Sequence, residues 1–170
     1  SIRESDIVAA VPPKSGTTVI QHVLHQLRVK GKEPDFEEQN EVMPWLEVTE
    51  HAEDLEGEQV ASPRVFKSHL KFSELPSGGR KAFCFRGLDD VVISMYHFLP
   101  PIMGLPKDRI DLDFFANFAL LAMVRPFLEN LVVWYEHRMD PDVLFVFYQD
   151  LIEDHRGTVQ RIADFMGEEF

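Results

Sequence analysis

The stretch that most limits what this chain can become is Val8–Leu27, VAAVPPKSGTTVIQHVLHQL. An apolar run meets two prolines, then Lys14-Ser15-Gly16-Thr17-Thr18, then an apolar pattern of helical period. That is the strand–loop–helix layout of a phosphate-binding loop. The ATP/GTP signature G-x-x-x-x-G-K-[ST] is nevertheless absent, because its first glycine would fall near Val8 or Ala9 and its Gly-Lys order is reversed. Gly16 permits close approach of the backbone to a ligand. The N–H groups that follow lie at a helix N-terminus, where partial positive charge favours an anion. Lys14 adds a full charge, and Ser15, Thr17 and Thr18 add hydroxyl donors. The plainer reading is a strand–turn–helix connection with a Ser/Thr cap, but Lys, Gly and three hydroxyls converge here.

The rest of the chain alternates in the same way. Apolar strands are expected over Asp6–Val11, Arg64–Lys67, Lys81–Phe85 and Val143–Tyr148. Helices are expected over Gly16–Arg28, with a stripe of Val19, Ile20, Val23, Leu24 and Leu27, and over Leu88–Leu99, with Asp89 and Asp90 in its first turn. Two apolar helices, Leu112–Val124 and Pro126–Arg138, are expected to meet at Pro126, and a last one, Thr158–Met166, to close at Gly167. Continuous apolar strands separated by helices imply an α/β fold: three layers, αβα, around a central parallel sheet. Ligands in such folds gather beyond the carboxyl ends of the strands.

Those strand ends carry charge. Lys67 and His69 follow the second strand, two residues apart and so on one face of an extended chain. This sets a cation beside a titratable base, although His69 alone reads equally as a structural histidine. Arg86 follows the third strand, where P-loop ATPases and GTPases deliver an Asp to organise Mg²⁺. An Arg there suits an anion and repels a metal, and Ser94 could share one phosphate with it. The alternative for Arg86 is an ion pair with Asp89 or Asp90. Tyr148 follows the last strand and is either a core residue with its hydroxyl at the rim or a partner for a base. His22 and His25 stand one helical turn apart, but no acidic partner or third ligand completes a zinc pattern. No metal is expected.

With 170 residues and a net charge of −12, the chain suits one globular domain, residues 1–170, and not a general nucleic-acid surface, which needs a basic stripe. The acid concentrates between Glu33 and Glu58, which holds no Lys or Arg and reads as a solvated loop region with short helices. The lone Cys84 cannot form an internal disulfide, fits a reducing, cytoplasmic setting, and reads as a small buried hydrophobe. The longest apolar stretch, Phe114–Val124, is too short for a membrane span, which needs about 20 residues.

Taken together, PKSGTT, VMPWLE, RVFKSHL, FRGLDDVVISMYHF and FVFYQDLIEDHRGTVQRIADFMG, in this order, resemble the motifs of the cytosolic-type sulfotransferases, which use 3′-phosphoadenosine 5′-phosphosulfate (PAPS). The resemblance covers nearly the whole chain. It implies that Lys14, Ser15, Gly16, Thr17 and Thr18 hold the 5′-phosphosulfate, that Arg86 and Ser94 hold the 3′-phosphate, and that Tyr148 lies near the adenine. It implies His69 as general base, Lys67 assisting at the sulfuryl group, and Trp45 and Phe98 lining the pocket of a small, lipophilic hydroxyl or amine acceptor. Met103 is a further apolar candidate there. The chain departs from the family in three places. Val19 stands where the family has Trp near the adenine. GLDD replaces the family's NPKD. The C-terminal Arg-Lys-Gly segment, which covers the cofactor, does not follow. Starting at Ser1 without a methionine and stopping at FMGEEF, the chain reads as truncated at both ends, and a homodimer stays open because the family's dimer contacts often lie in that C-terminal region. The rival readings are a P-loop nucleotide kinase and a non-catalytic nucleotide-binding relative.

Overall fold

A computed structural model of the chain describes residues 1–32, 36–48, 55–106 and 110–168. Four parallel strands form one sheet in the order β2-β1-β3-β4: β1 (Ile7–Ala10), β2 (Val65–Ser68), β3 (Arg80–Phe85) and β4 (Val143–Phe147). The strand alternation sorts two cores. Ile7, Ala9 and Val11, Ala82 and Cys84, and Leu144 and Val146 point to one face. There they meet α1 (Thr17–Arg28) through Ile20 and Leu24, and the last helix, α6 (His155–Met166), through Val159 and Ile162. Val8 and Ala10, Phe83, Val143 and Phe145 point to the other face, onto Trp134 of α4 (Leu112–Glu136). Period-2 strands buried on both faces have no polar alternation, which is why they read as continuous apolar runs. The αβα layering matches the expectation.

At the amino edge of the sheet, buried Asp6 and Arg64 register β1 against β2 by two hydrogen bonds, Nε to Oδ1 at 2.9 Å and Nη2 to Oδ2 at 2.5 Å. At the carboxyl edge the Val11 N–H donates to the Ser68 carbonyl at 3.1 Å. The two clamps fix β1 against β2 at its two ends, the second at the junction with the loop.

Three expectations need correction. The helices expected to meet at Pro126 are one helix, α4, with Pro126 inside it. Pro126 forfeits one main-chain hydrogen bond, a cost of about 3 kcal/mol, but the apolar pattern continues on both sides and Trp134, fully buried and stacked on Phe83 at 4.6 Å, ties the C-terminal half to the sheet. This one 25-residue helix is also, contrary to the expectation of a stretch too short for a span, long and apolar enough to cross a membrane by length and composition. Phe114, Phe118 and Leu121 are exposed on it. Second, α3 (Leu88–Ile102) runs through Pro100 and Pro101 rather than stopping at Leu99. Third, Tyr148 is not the last strand residue but the first of a short helix, α5 (Tyr148–Glu153). The acidic run carries a single-turn helix, α2 (Gln39–Val42), and lies partly outside the described residues.

Candidate functional site

The loop between β1 and α1 is held in a conformation few residues adopt. Lys14 has φ 64° and Gly16 φ 105°, both left-handed, so Gly16 is required and Lys14 is strained. A Cβ on Gly16 would lie 2.7 Å from Cδ2 of Tyr148 and 3.4 Å from Sγ of Cys84. The loop therefore rests on the ends of β3 and β4. Gly16 caps α1 with no side-chain hydrogen bond, and no acid occupies the first turn of α1. Ser15 is buried, and its Oγ and the Oγ1 of Thr17 are buried without a hydrogen-bond partner. Thr18 is exposed. Helix-terminal N–H groups, two hydroxyls without partners and a first turn of α1 free of acid form a cradle that suits an anion.

Arg86 closes this cradle from β3. Its Nη1 donates to the Lys14 carbonyl at 3.2 Å, and its guanidinium lies 4.6 Å from the Tyr148 ring centroid. Tyr148 thus neighbours both Gly16 and Arg86. The ion pair weighed in the sequence exists: Asp90 Oδ2 stands 3.8 Å from Arg86 Nε, too far for a hydrogen bond, and Nε is buried without one. Asp90, Ser94 and Phe98 recur every fourth residue and so line one face of α3. That face runs from Arg86 to Lys14, whose Nζ sits 3.8 Å from the Phe98 ring centroid. Ser94 is half-buried on it.

The second cluster forms around Trp45. Residues 44–46 run beside β2, with Lys67 N–H donating to the Pro44 carbonyl and Leu46 N–H to the Lys67 carbonyl, both at 2.9 Å. Lys67 Nζ lies 3.7 Å from the Trp45 ring centroid, and the His69 ring meets Trp45 edge-on at 5.1 Å. Lys67 and His69 are brought together through this indole. His69 Nδ1 is 2.6 Å from the Val11 carbonyl, which can only accept. Nδ1 therefore carries the proton, and Nε2 keeps its lone pair. Burial pushes the imidazole below its ordinary pKa and Lys67 lowers it further, while the Val11 hydrogen bond and Glu47 oppose the change. Burial likewise lowers Lys67. His69 is a neutral base at neutral pH.

The sulfotransferase domain family matches residues 4–170. The chain belongs to this family. Among its relatives, this sulfotransferase-family chain is 30% identical to the amine sulfotransferase of Oryctolagus cuniculus, over 97% of the chain and 57% of that protein. It is 32% identical to sulfotransferase 4A1 of Homo sapiens, over 98% of the chain and 61% of that protein. Among solved structures it superposes on mouse sulfotransferase SULT7A1 complexed with PAP (TM-score 0.76, 23% identity, 100% of the chain and 60% of that one). It also superposes on retinol dehydratase in a complex with retinol and PAP (TM-score 0.75, 22% identity, 100% and 62%). The chain spans about three fifths of the length of these relatives.

Several features of this sulfotransferase-family domain were not foreseen from its sequence. Val19 is not in the packed stripe of α1 but 36% exposed. It borders a groove of about 760 Å³ lined by Thr18, Val19, His22, Gln26, Gln39 and His155, among others. Gln39 reaches across to the Thr18 carbonyl at 3.3 Å. His22 and His25 diverge: His22 lines the groove, whereas His25 is buried and accepts from Arg28. Among the described residues no group of three or more His, Cys, Asp or Glu could hold a metal ion. Cys84 lies beneath the loop, its thiol pushed up to about 12 by burial, so it stays protonated. Met103 is exposed at the end of α3. Glu47 hydrogen-bonds the His69 main chain, and its place in an acidic run concealed that contact.

Proposed function

We propose that the protein transfers a sulfuryl group from PAPS to a hydroxyl or amine of a small, lipophilic acceptor, in the cytoplasm and without a metal. The observation that carries this reading is the acid-free, uncapped start of α1, with Ser15 and Thr17 hydroxyls lacking partners and Arg86 strapped across it. This donor set fits a multiply charged anion better than a Mg²⁺-bound nucleotide, since an Arg stands where a metal-binding Asp is needed. Bound PAPS would supply an activated sulfuryl group with a bisphosphate as its leaving group.

Lys14, the Gly16–Thr18 backbone and the hydroxyls of Ser15, Thr17 and Thr18 hold the 5′ end and stabilise the charge that grows there. Arg86 exchanges its long contact with Asp90 for the 3′-phosphate, joined by Ser94, and Tyr148 packs near the base. His69 accepts the acceptor's proton on Nε2, while Val11 keeps the other nitrogen occupied. Lys67, partly desolvated over Trp45, offers charge at the sulfuryl group. Trp45 and Phe98, each seated under a lysine, bound the apolar side where the acceptor lies. The phosphate-side residues thus bind and position, and His69 moves the proton.

A second reading, a nucleotide binder without transfer, draws on Asp90 already pairing with Arg86 and on the open groove beside Val19. A labelled-PAPS assay across phenols, alcohols and amines separates the two. Transfer by the wild type that disappears in His69→Ala supports the enzyme, and nucleotide binding with no labelled product from any acceptor supports the binder.

A further inference from the structure

Glu47 is exposed and lies in the acidic stretch, so its ordinary reading is a solvating charge. Its surroundings argue otherwise. The strap of residues 44–46 is fixed to β2 by the two main-chain hydrogen bonds at Lys67, so the position of the next residue is fixed as well. From there a Glu47 carboxylate oxygen accepts the main-chain N–H of His69 at 2.5 Å. His69 is consequently held twice, at its ring by the Val11 carbonyl and at its backbone by a carboxylate.

We propose that Glu47 is a positioning residue for His69: it anchors the base through its backbone and counterbalances the charge of Lys67 when the imidazole takes up a proton. The charged side chains acting on His69 are Lys67, from its own strand, and Glu47, from the strap. The loop presents the uncharged Val11 carbonyl, and Trp45 presents a neutral ring edge. A proton arriving on Nε2 creates a second cation next to Lys67. Glu47 offsets that repulsion, so the imidazolium forms more readily. The favourable effect of Glu47 on protonation runs in the same direction as this geometry requires. The role in transfer rests on the function proposed above, whereas the electrostatic coupling between Glu47 and His69 does not.

The test is Glu47→Gln in the full chain, because Gln keeps an oxygen acceptor for the His69 N–H while removing the charge. Two readouts are taken: the NMR titration of the His69 ring, assigned with His69→Ala, and PAPS-dependent kinetics. The His69 midpoint is expected to fall by roughly half a pH unit or more, the scale of one unit charge at close range near a protein surface. kcat is expected to drop about three- to tenfold with the Kd for 3′,5′-ADP unchanged, since charge at the base is lost and phosphate contacts are not. Glu47→Ala, which also frees the backbone, should lose more kcat. An unchanged midpoint in Glu47→Gln overturns the proposal. So does a kcat loss matched by loss of nucleotide affinity and thermal stability, which marks a structural role. If the wild type transfers nothing and the midpoint still falls, the coupling stands and the transferase reading is what fails.

Discussion

The carboxyl end of the sheet and the outer flank of α1 are separated by one helical turn and built on opposite principles. At the sheet end, Gly16, Tyr148, Arg86 and Lys14 touch one another, and His69 and Lys67 are seated on Trp45. Along the flank, Val19 and His22 face an open groove. Recognition at the first surface depends on charge, hydroxyls and a left-handed glycine, and each of these is written in a few adjacent residues. Recognition at the second depends on what fills a space between α1, α2 and α6. The first surface presents cations and hydroxyls, and the second an open space bordered by Val19, His22 and Gln39.

The largest expected effect comes from breaking the packed side. His69→Ala should reduce turnover by roughly 10²- to 10⁴-fold while leaving calorimetric binding of 3′,5′-ADP intact; equal loss of both would make His69 structural. The wild-type pH profile carries the same information. Because burial depresses the imidazole, His69 stays neutral below its ordinary pKa, and kcat/KM should hold as pH falls past about 6.5 and decline only at lower pH, as Nε2 becomes protonated. Gly16→Ala is next. Its φ of 105° and the 2.7 Å approach to Tyr148 should cost about 1–3 kcal/mol in strain, read as a lower Tm, and weaken nucleotide binding by displacing the ring.

Arg86→Ala should weaken 3′,5′-ADP roughly tenfold or more and leave 5′-AMP nearly unchanged, in line with loss of a charge-assisted hydrogen bond to one phosphate. Equal losses for the two ligands would place Arg86 elsewhere. The smaller tests sharpen the open side. Val19→Trp adds a large flat surface to the groove and should tighten both nucleotides several-fold; no change for either would remove the groove from the nucleotide site. Asp89→Lys removes an acid from the turn beside Arg86 and should tighten 3′,5′-ADP a few-fold at low salt, with the gain shrinking as salt rises.

The strands, their parallel direction and the charged strand ends were legible because each is a local pattern: apolar runs, intervening helices, and Lys14, Lys67, His69 and Arg86 at their boundaries. Three things were not legible, for three reasons. Pro126 is a strong local breaker, and tertiary packing of α4, with Trp134 on Phe83 and Phe127 against Phe85, outweighs it. Val19 fits the apolar stripe by spacing, but its burial depends on a neighbouring element that does not cover it. Glu47 carries no signal beyond its charge until the strap brings it to His69, 22 residues away in sequence. Ser94 and Phe98 lie between these cases, since their spacing from Asp90 puts them on one face and the Lys14–Phe98 contact gives that face its position.

The loop before α1 is expected to accommodate a phosphosulfate-type anion without a metal, and not ATP–Mg²⁺. Calorimetric titration of the full chain with 3′,5′-ADP in EDTA, and separately with ATP and Mg²⁺, tests it directly. Binding of the bisphosphate is expected to be metal-independent and at least about tenfold tighter than that of ATP–Mg²⁺, a difference of about 1.4 kcal/mol or more. Binding of ATP that requires Mg²⁺ and exceeds that of the bisphosphate would contradict it.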